Sequence, residues 1–400
     1  MPPVPGTHDP RTDALLDPAT YADDARLHAT LTELRGEPGP AWNSAAGFWA
    51  VTRHADVQAA STDPVTFCSG RGILLQEIGT TYDSPPTMMH TDPPAHTRYR
   101  SLVMPGFKPS VVRSLEPQVR AFAEELLDEL PKGEPVDVVE ALALPFPLRV
   151  IAAVLGLPAG REHDLWKWSE AAIPGATDWP EDERMALLTG MTIELLGLAA
   201  ERRRAPAGDV VSMLAGVEID GERLSDDELG MFLIQLLVAG NETSRHAISG
   251  GIVALAQHPE QWARLQGDLS LTPTAVEEVL RWTTPVTSFM RTATVDTDLG
   301  ATGIAAGDPV LLLYAAANRD EAAFGPSASQ FDIARSPNHH LAFGFGHHFC
   351  LGAALARLEI AVVLEGLLDR FDALAPAGDV ERTGSSVIAG IRHAPVTFSA

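Results

Sequence analysis

The feature that most restricts the architecture is a helical pattern running from Ser225 to Gln257. Ser225-Asp226-Asp227-Glu228 has the Ser-x-x-Glu spacing of a capping box, in which each side chain satisfies the other residue's backbone N–H. The pattern continues as far as His258-Pro259. At about 1.5 Å per residue a helix of this length spans roughly 50 Å. It is apolar nearly all round from Met231 to Ala239, so it must cross a protein interior. In its middle stands Ala239-Gly240-Asn241-Glu242-Thr243-Ser244. A glycine there costs about 1 kcal/mol, and a buried carboxylate needs partners. Such choices mark either one satisfied polar notch or a site. Gly240 would leave room for a ligand against the helix, and a Thr243 hydroxyl bonded back to a carbonyl can open the helix locally.

A second constraint is Phe343-Gly344-Phe345-Gly346-His347-His348-Phe349-Cys350-Leu351-Gly352. It holds one of only two cysteines in 400 residues. The glycines let the backbone turn tightly and approach something flat. Leu351, Leu355, Leu358 and Val362 then recur at helical spacing. Cys350 is thus expected in a loop ahead of a helix N-terminus, where free N–H groups and the dipole stabilise a thiolate. That suits an axial metal ligand, although a lone cysteine is commonly a buried structural one. A zinc site from His347, His348 and Cys350 lacks the paired spacing that lets one element hold two ligands.

Asp92-Pro93-Pro94-Ala95-His96-Thr97-Arg98-Tyr99-Arg100 opens another helix, with His96 and Arg100 four apart on one face. They suit either a solvated basic face or an anionic group. Glu278 and Arg281, at i and i+3, can pair on a helix. Taken together, Phe-Gly-x-Gly-x-His-x-Cys-x-Gly, Ala-Gly-x-Glu-Thr, Asp-Pro-Pro-x-His-x-x-x-Arg and Glu-x-x-Arg resemble the cytochromes P-450, the haem-thiolate monooxygenases, of the soluble bacterial type. The resemblance runs from the first helix to the last strand. Ser244 departs from it slightly, standing where a second threonine is frequent.

The resemblance implies a mainly α fold with a small β-rich region. It is a triangular helical bundle with haem between the long central helix and the helix after the Cys loop. A single domain over 1–400 is expected, β-rich at about 45–55, 284–313 and 387–398. The implied cofactor is haem b (heme, iron protoporphyrin IX), non-covalent because no Cys-x-x-Cys-His occurs. Its ligand would be the Cys350 thiolate, within a pocket formed by Phe343, Gly344, Gly352, Ala239 and Gly240. Its propionates would meet His96, Arg100, Arg291 and His348. Glu242 and Thr243 are the implied acid–alcohol pair, with Glu242 relaying protons from bulk water. Glu278 and Arg281, completed by Arg335, are the implied ion pair supporting the Cys loop. By position, Leu75, Met89, Phe232, Gln235, Leu236, Val238, Val286, Thr287 and Ile388 line a mostly apolar substrate pocket. That suits a mid-sized lipophilic molecule: terpenoid, steroid, fatty acid or polyketide. Trp166, Trp168 and Trp179 cluster at a break at Pro174, Gly175 and Pro180, where the family carries a mobile lid.

The implied reaction inserts one atom of O2 into a C–H bond. No Gly-x-Gly-x-x-Gly fingerprint precedes a helix, so electrons must come from outside. The resemblance implies a ferredoxin served by a reductase and NAD(P)H. On an otherwise acidic protein, Arg98, Lys108, Arg113 and Arg357 are either a basic docking patch or scattered surface charge. A haem-thiolate sensor without turnover would have no use for Glu242-Thr243, and a peroxide-driven peroxygenase usually lacks such a pair. The formal net charge of −24 argues against nucleic-acid or anionic-membrane binding. No apolar run reaches a membrane span, the start has no signal-peptide pattern, and two distant cysteines make no disulfide framework. A cytoplasmic monomer is the expectation.

Elsewhere the expected elements are a helix over Tyr21–Glu37, a strand over Phe48–Thr52 and a helix over Asp56–Ala60. A loop-rich segment follows from Ser61 to Pro94, containing Pro85 and Pro86. Helices are expected to about Leu130, from Val139 to Leu155, and twice within Glu162–Arg203. Strands within Ala293–Leu313 should turn at Asp298 and Gly307. A C-terminal strand over Val387–Phe398 should turn at Gly390.

Overall fold

A computed structural model describes residues 7–79, 87–157, 160–173, 179–218 and 221–399. Pro85, Pro86, Pro174 and Gly175 lie outside the described residues. The α-helices are α1 (Pro18–Ala22), α2 (Asp24–Arg35), α3 (His54–Thr62), α4 (Ala95–Val103), α5 (Pro109–Asp128), α6 (Pro145–Leu155), α7 (Glu162–Ala172), α8 (Glu181–Arg204), α9 (Val210–Gly216), α10 (Asp226–Gln257), α11 (Pro259–Gly267), α12 (Thr272–Thr283), α13 (Tyr314–Ala317), α14 (Glu321–Phe324) and α15 (Ala353–Arg370). The strands are β1 (Ala41–Asn43), β2 (Phe48–Val51), β3 (Phe67–Cys68), β4 (Pro135–Asp137), β5 (Ser288–Ala293), β6 (Thr297–Leu299), β7 (Thr302–Ile304), β8 (Pro309–Leu313), β9 (Ala373–Pro376), β10 (Glu381–Arg382), β11 (Ile391–His393) and β12 (Pro395–Ser399).

Helix α10 is the axis. Ser225 Oγ accepts from Glu228 N–H at 3.1 Å and Glu228 Oε2 accepts from Ser225 N–H at 2.7 Å, so the capping box closes. Such a cap contributes about 1 kcal/mol. Leu229, Leu233, Leu237, Ile248, Ile252 and Leu255 of α10 are all buried. They pack among residues of α5, α6, α8, α12 and α15 in one large helical core. Burying each such side chain contributes roughly 1.5–3 kcal/mol, which is why a rod this long holds its place.

The β region lies to one side of that core. One sheet has the order β1-β2-β8-β5-β3, in which only β2 and β8 run parallel. Arg291 sits in its interior strand β5, paired with Val310 of β8. A second sheet, β4-β12-β9, ties the C-terminus to the helical core.

Several boundaries differ from expectation for local reasons. The helix expected over Tyr21–Glu37 is two helices, because Asp23 leaves the helical region and caps α2 by accepting from Arg26 N–H. The helix expected over Val139–Leu155 begins as a π-helix at Val139–Ala143 and becomes α only at Pro145, whose missing N–H suits a first turn. Asp298 lies within β6, and the β6–β7 turn falls at Gly300, whose φ is +58°. The single C-terminal strand is instead a turn at Val387–Gly390 followed by β11 and β12, with only a bridge from Ile388 to Val286.

Candidate functional site

On α10 the polar notch is divided between two faces. Asn241, Glu242 and Ser244 are buried, whereas Ala239 is exposed and Thr243 half-buried in the middle of an otherwise buried stretch. Gln235, Ala239 and Thr243 recur every four residues, so one stripe of the rod faces open space. Thr243 Oγ1 donates to the Ala239 carbonyl at 2.8 Å, and the helix remains continuous. Gly240 does not serve the role expected of it. A Cβ built there would lie 2.8 Å from Ile151 Cδ1 of α6, so the glycine admits a neighbouring helix rather than a ligand.

Glu242 does not reach bulk water. It is 2 % exposed and held by Arg245 at 3.4 Å, His246 at 3.2 Å and Asn241 Nδ2 at 2.9 Å. Burial alone would raise its pKa, but Arg245 and the His246 hydrogen bond outweigh burial and hold the carboxyl below its ordinary value. Arg245 also grips Glu170 of α7. Burial and repulsion from Glu242 push Glu170 upward. Arg245 and His246 stand at i+3 and i+4 from Glu242, a spacing that pointed to them as its partners on any buried helix. Glu170 carried no such signal, because its partner is distant in sequence.

The cysteine loop closes as a hairpin. Cys350 N–H donates to the Phe343 carbonyl at 2.9 Å and Gly344 N–H to the Leu341 carbonyl at 2.9 Å. Gly344 and Gly346 both have left-handed φ, +67° and +69°. A Cβ on Gly346 would also collide with the Ser61 carbonyl at the end of α3, so that position admits only glycine. Burial pushes the Cys350 thiol up, and the Gly352 N–H, Arg100 and Arg357 oppose this. The other cysteine, Cys68, is also free. Phe343 packs behind the loop with the Arg357 guanidinium 4.6 Å from its ring centroid. Among the described residues no group of three or more His, Cys, Asp or Glu could hold a metal ion, so the His347–His348–Cys350 zinc alternative has no support.

Four cationic or imidazole groups converge from three segments. The rings of His96 (α4) and His348 (Cys loop) lie 4.2 Å apart. Among the described residues, buried His96 has no hydrogen bond at either ring nitrogen, and His348 Nε2 meets only Ser69 Oγ, at 3.2 Å. Burial, then Arg100, His347 and Arg291, holds His96 down at about 4, and burial, then Arg291, His96 and Arg100, holds His348 at about 2. Neither Arg100 nor Arg291 has a carboxylate partner among the described residues. A buried cluster of donors without counter-charge fits an anionic group set among them.

The apolar wall is a separate cluster of Ile173, Val387 and Ile388, with Leu74, Val238, Val286 and Phe289 packed against it. It brings together Val238, Val286 and Ile388 from three distant segments. It corrects Leu75, which packs instead with the N-terminal cluster of Leu15, Leu31 and Phe48. The Ile73 carbonyl accepts from Met290 N–H on β5, and Glu77 Oε2 accepts from Ile73 and Leu74 N–H, so Leu74 faces the wall while Leu75 begins a 3-10 turn on the other side. Phe232 is buried in the helical core, and Leu236 packs on it. Met89 is half-buried beside buried Met88. Buried Gln235 Oε1 and Thr287 Oγ1 have no hydrogen-bond partner among the described residues. Ile173, Val387 and Phe289 escaped the sequence reading, since an apolar residue does not announce which surface it faces. Trp166 and Trp179 meet edge-on at 6.1 Å, beside the Trp166 Nε1 hydrogen bond to Glu170.

Glu278 and Arg281 on α12 are fully buried and joined by two 2.7 Å hydrogen bonds. Arg335 reaches Glu278 at 3.2 Å. The two arginines then hold the carbonyls of Asn318, Ser327, Ala328 and Gln330, so the segment leading into the Cys loop hangs on one carboxylate. In the expected docking patch, Arg98 is already paired with Glu222 and Glu228, and Arg357 with Glu277. Lys108 and Arg113 are exposed.

A profile described as cytochrome P450 matches residues 209–395, which carry the notch, the α12 pair and the Cys loop. The methyl-branched lipid omega-hydroxylase of Mycobacterium tuberculosis is 40% identical over 399 residues, 94% of this chain and 92% of that protein. The linalool 8-monooxygenase of Pseudomonas putida is 36% identical over 392 residues, 93% of this chain and 95% of that one. A Mycobacterium marinum cytochrome P450 solved in complex with pseudoionone superposes with a TM-score of 0.90 at 34% identity, covering 98% of this chain and 99% of that chain. No helix among the described residues is long and apolar enough to cross a membrane. Since sequence and fold agree along nearly the whole chain, this protein belongs to the cytochrome P450 family of monooxygenases.

Proposed function

We propose that this chain inserts one atom of O2 into a C–H bond of a mid-sized lipophilic molecule, drawing electrons from an external ferredoxin with its reductase and NAD(P)H. The observation that carries the proposal is the open stripe at Ala239 and Thr243 on a buried helix, backed by the buried carboxylate of Glu242. Haem b would be held by Cys350 Sγ, with its propionates among His96, Arg100, Arg291 and His348. Bound there, a haem thiolate supplies O2 binding and O–O cleavage. The Gly352 N–H tempers the charge on the sulfur. Thr243 Oγ1 holds a proton at the face of the cavity, released from Ala239 by rotation about one side-chain bond. Glu242 is the group behind it that exchanges protons, through its buried partners rather than directly with water. Ile173, Leu74, Val238, Val286 and Ile388 exclude water and present only apolar surface to the substrate.

Gln235 Oε1 and Thr287 Oγ1 are the polar handles of this wall, and an alkyl or terpenoid chain bearing a single hydroxyl or carbonyl suits them. The names of the methyl-branched lipid omega-hydroxylase and the linalool 8-monooxygenase point the same way. Reconstitution with ferredoxin, reductase and NADPH tests the proposal. Thr243→Ala should keep the substrate-induced spectral shift yet release most of the reducing power as hydrogen peroxide. Coupling equal to the parent would remove Thr243 from this role. Product formed equally well from hydrogen peroxide alone would make the protein a peroxygenase.

A further inference from the structure

Glu242 has one partner whose own role the proposed reaction leaves unspecified. His246 Nε2 lies 3.2 Å from Glu242 Oε2, one turn along α10. The other ring nitrogen, Nδ1, accepts the backbone N–H of Ile391 at 3.2 Å. A backbone N–H can only donate, so Nδ1 must be unprotonated. The proton then sits on Nε2, and the neutral ring donates it to the Glu242 carboxylate. The ring is 3 % exposed, and burial favours this neutral form. Among the described residues the other charged groups that act on this pair are Arg245 on the same helix, Glu170 on α7 and Arg382 on β10.

Ile391 is the first residue of β11, three residues beyond Ile388 of the apolar wall. The intervening turn is bound to the other side of the same wall. Thr287 N–H donates to the Val387 carbonyl at 2.8 Å, and Ala389 N–H to the Pro285 carbonyl at 2.9 Å. Val286, Thr287, Val387 and Ile388 are therefore one body, and that body ends in the N–H that fixes the His246 ring.

We propose that His246 is a positioning residue that ties the Glu242 carboxylate to the turn carrying Ile388, so that the proton relay is aligned through the surface that meets the substrate. The proposal rests on Glu242 and Thr243 being the proton path. It specifies a link that a purely structural histidine would not need: one nitrogen committed to the turn, the other to the acid.

Glutamine can reproduce both bonds, its amide N donating to Glu242 and its amide O accepting from Ile391. Leucine can make neither. In the reconstituted enzyme, His246→Leu should lower product formed per NADPH by about tenfold, the size of losing one hydrogen bond to a charged group. His246→Gln should restore most of that loss. Ile391→Pro deletes the turn's N–H along with part of a side chain buried in the core, so it is compared with Ile391→Ala, which trims the side chain but keeps the N–H. At a strand's first position, where proline is tolerated, Ile391→Pro should fall below Ile391→Ala and between His246→Leu and His246→Gln. It also carries the test if His246→Leu does not fold. A readout independent of turnover is the infrared spectrum of the resting protein at neutral pH. Beyond the protonated Glu359 that every variant retains, His246→Leu should gain a second protonated-carboxyl band that is absent from the parent, from His246→Gln and from the His246→Leu/Glu242→Gln double variant. A His246→Gln protein as uncoupled as His246→Leu, or no band assignable to Glu242, overturns the proposal. If Glu242→Gln uncouples and His246→Leu does not, His246 alone is wrong. If Glu242→Gln leaves coupling intact, the proton path itself is wrong and this link falls with it.

Discussion

Glu359 lies one helix away from the notch and was not singled out by its sequence. It is buried on α15, accepts a hydrogen bond from Ser244 beside Thr243, and is pushed up to about 8 by burial, which the Ser244 bond only partly offsets. The sign of its effect on stability follows from proton counting. Between the ordinary glutamate value and about 8 the folded chain holds a proton that the unfolded chain has lost, so stability falls as pH rises through that window. Above about 8 both states are ionised and the full cost of a buried charge remains. Glu359→Gln removes that cost while keeping an acceptor for Ser244. Its thermal midpoint relative to the parent should therefore be higher at about pH 9 than at about pH 6. An equal difference at both values would mean that Glu359 is already ionised at the lower pH.

At the scale of elements, two contacts decide how α10, α12 and the Cys loop are set. Among the described residues Glu278 on α12 is the only carboxylate shared by Arg281 and Arg335. Glu278→Gln leaves two buried guanidinium groups without counter-charge, which should cost about 3–5 kcal/mol. Denaturant unfolding should show that loss together with weaker haem retention, because the segment from Asn318 to Gln330 hangs on these arginines. A cost below about 1 kcal/mol would place the pair among ordinary surface ion pairs. The second contact is Gly240 against Ile151. Gly240→Ala gains about 1 kcal/mol of helix propensity but crowds α6, an overpacking cost of about 1–3 kcal/mol. The net result should be a small loss of stability, recovered in Gly240→Ala/Ile151→Val, with haem content unchanged. Loss of haem without loss of stability would restore Gly240 to the cofactor pocket.

Over the whole molecule, charge separates what is free to meet a partner from what is already paired. The chain carries a formal net charge of −24, so an acidic electron donor must find a local positive patch. Arg98 and Arg357 are tied into ion pairs with their own glutamates, which leaves exposed Lys108 and Arg113 at the start of α5 as the more available cations. Lys108→Glu/Arg113→Glu should slow electron delivery from a ferredoxin by about tenfold or more at low salt, and added salt should narrow the gap to the parent. Stopped-flow reduction at two ionic strengths measures both. A gap that does not respond to salt would move the docking surface elsewhere.

Periodicity and turn chemistry already carried α10 with its capping box, the Cys hairpin with its two left-handed glycines, and the Glu278–Arg281 pair. Each is written in residues close together in the chain, where spacing alone settles which side chains meet. Which face a side chain takes when its partner comes from elsewhere was decided only by packing. Gly240 and Leu75 show this: Ile151 and β5 set their surroundings, and neither is near in sequence. The same holds for the joining of Glu170 to Arg245, Ser244 to Glu359 and His246 to Ile391. A buried polar group must find a partner, but the chain's own order does not say which of many distant segments will bring it.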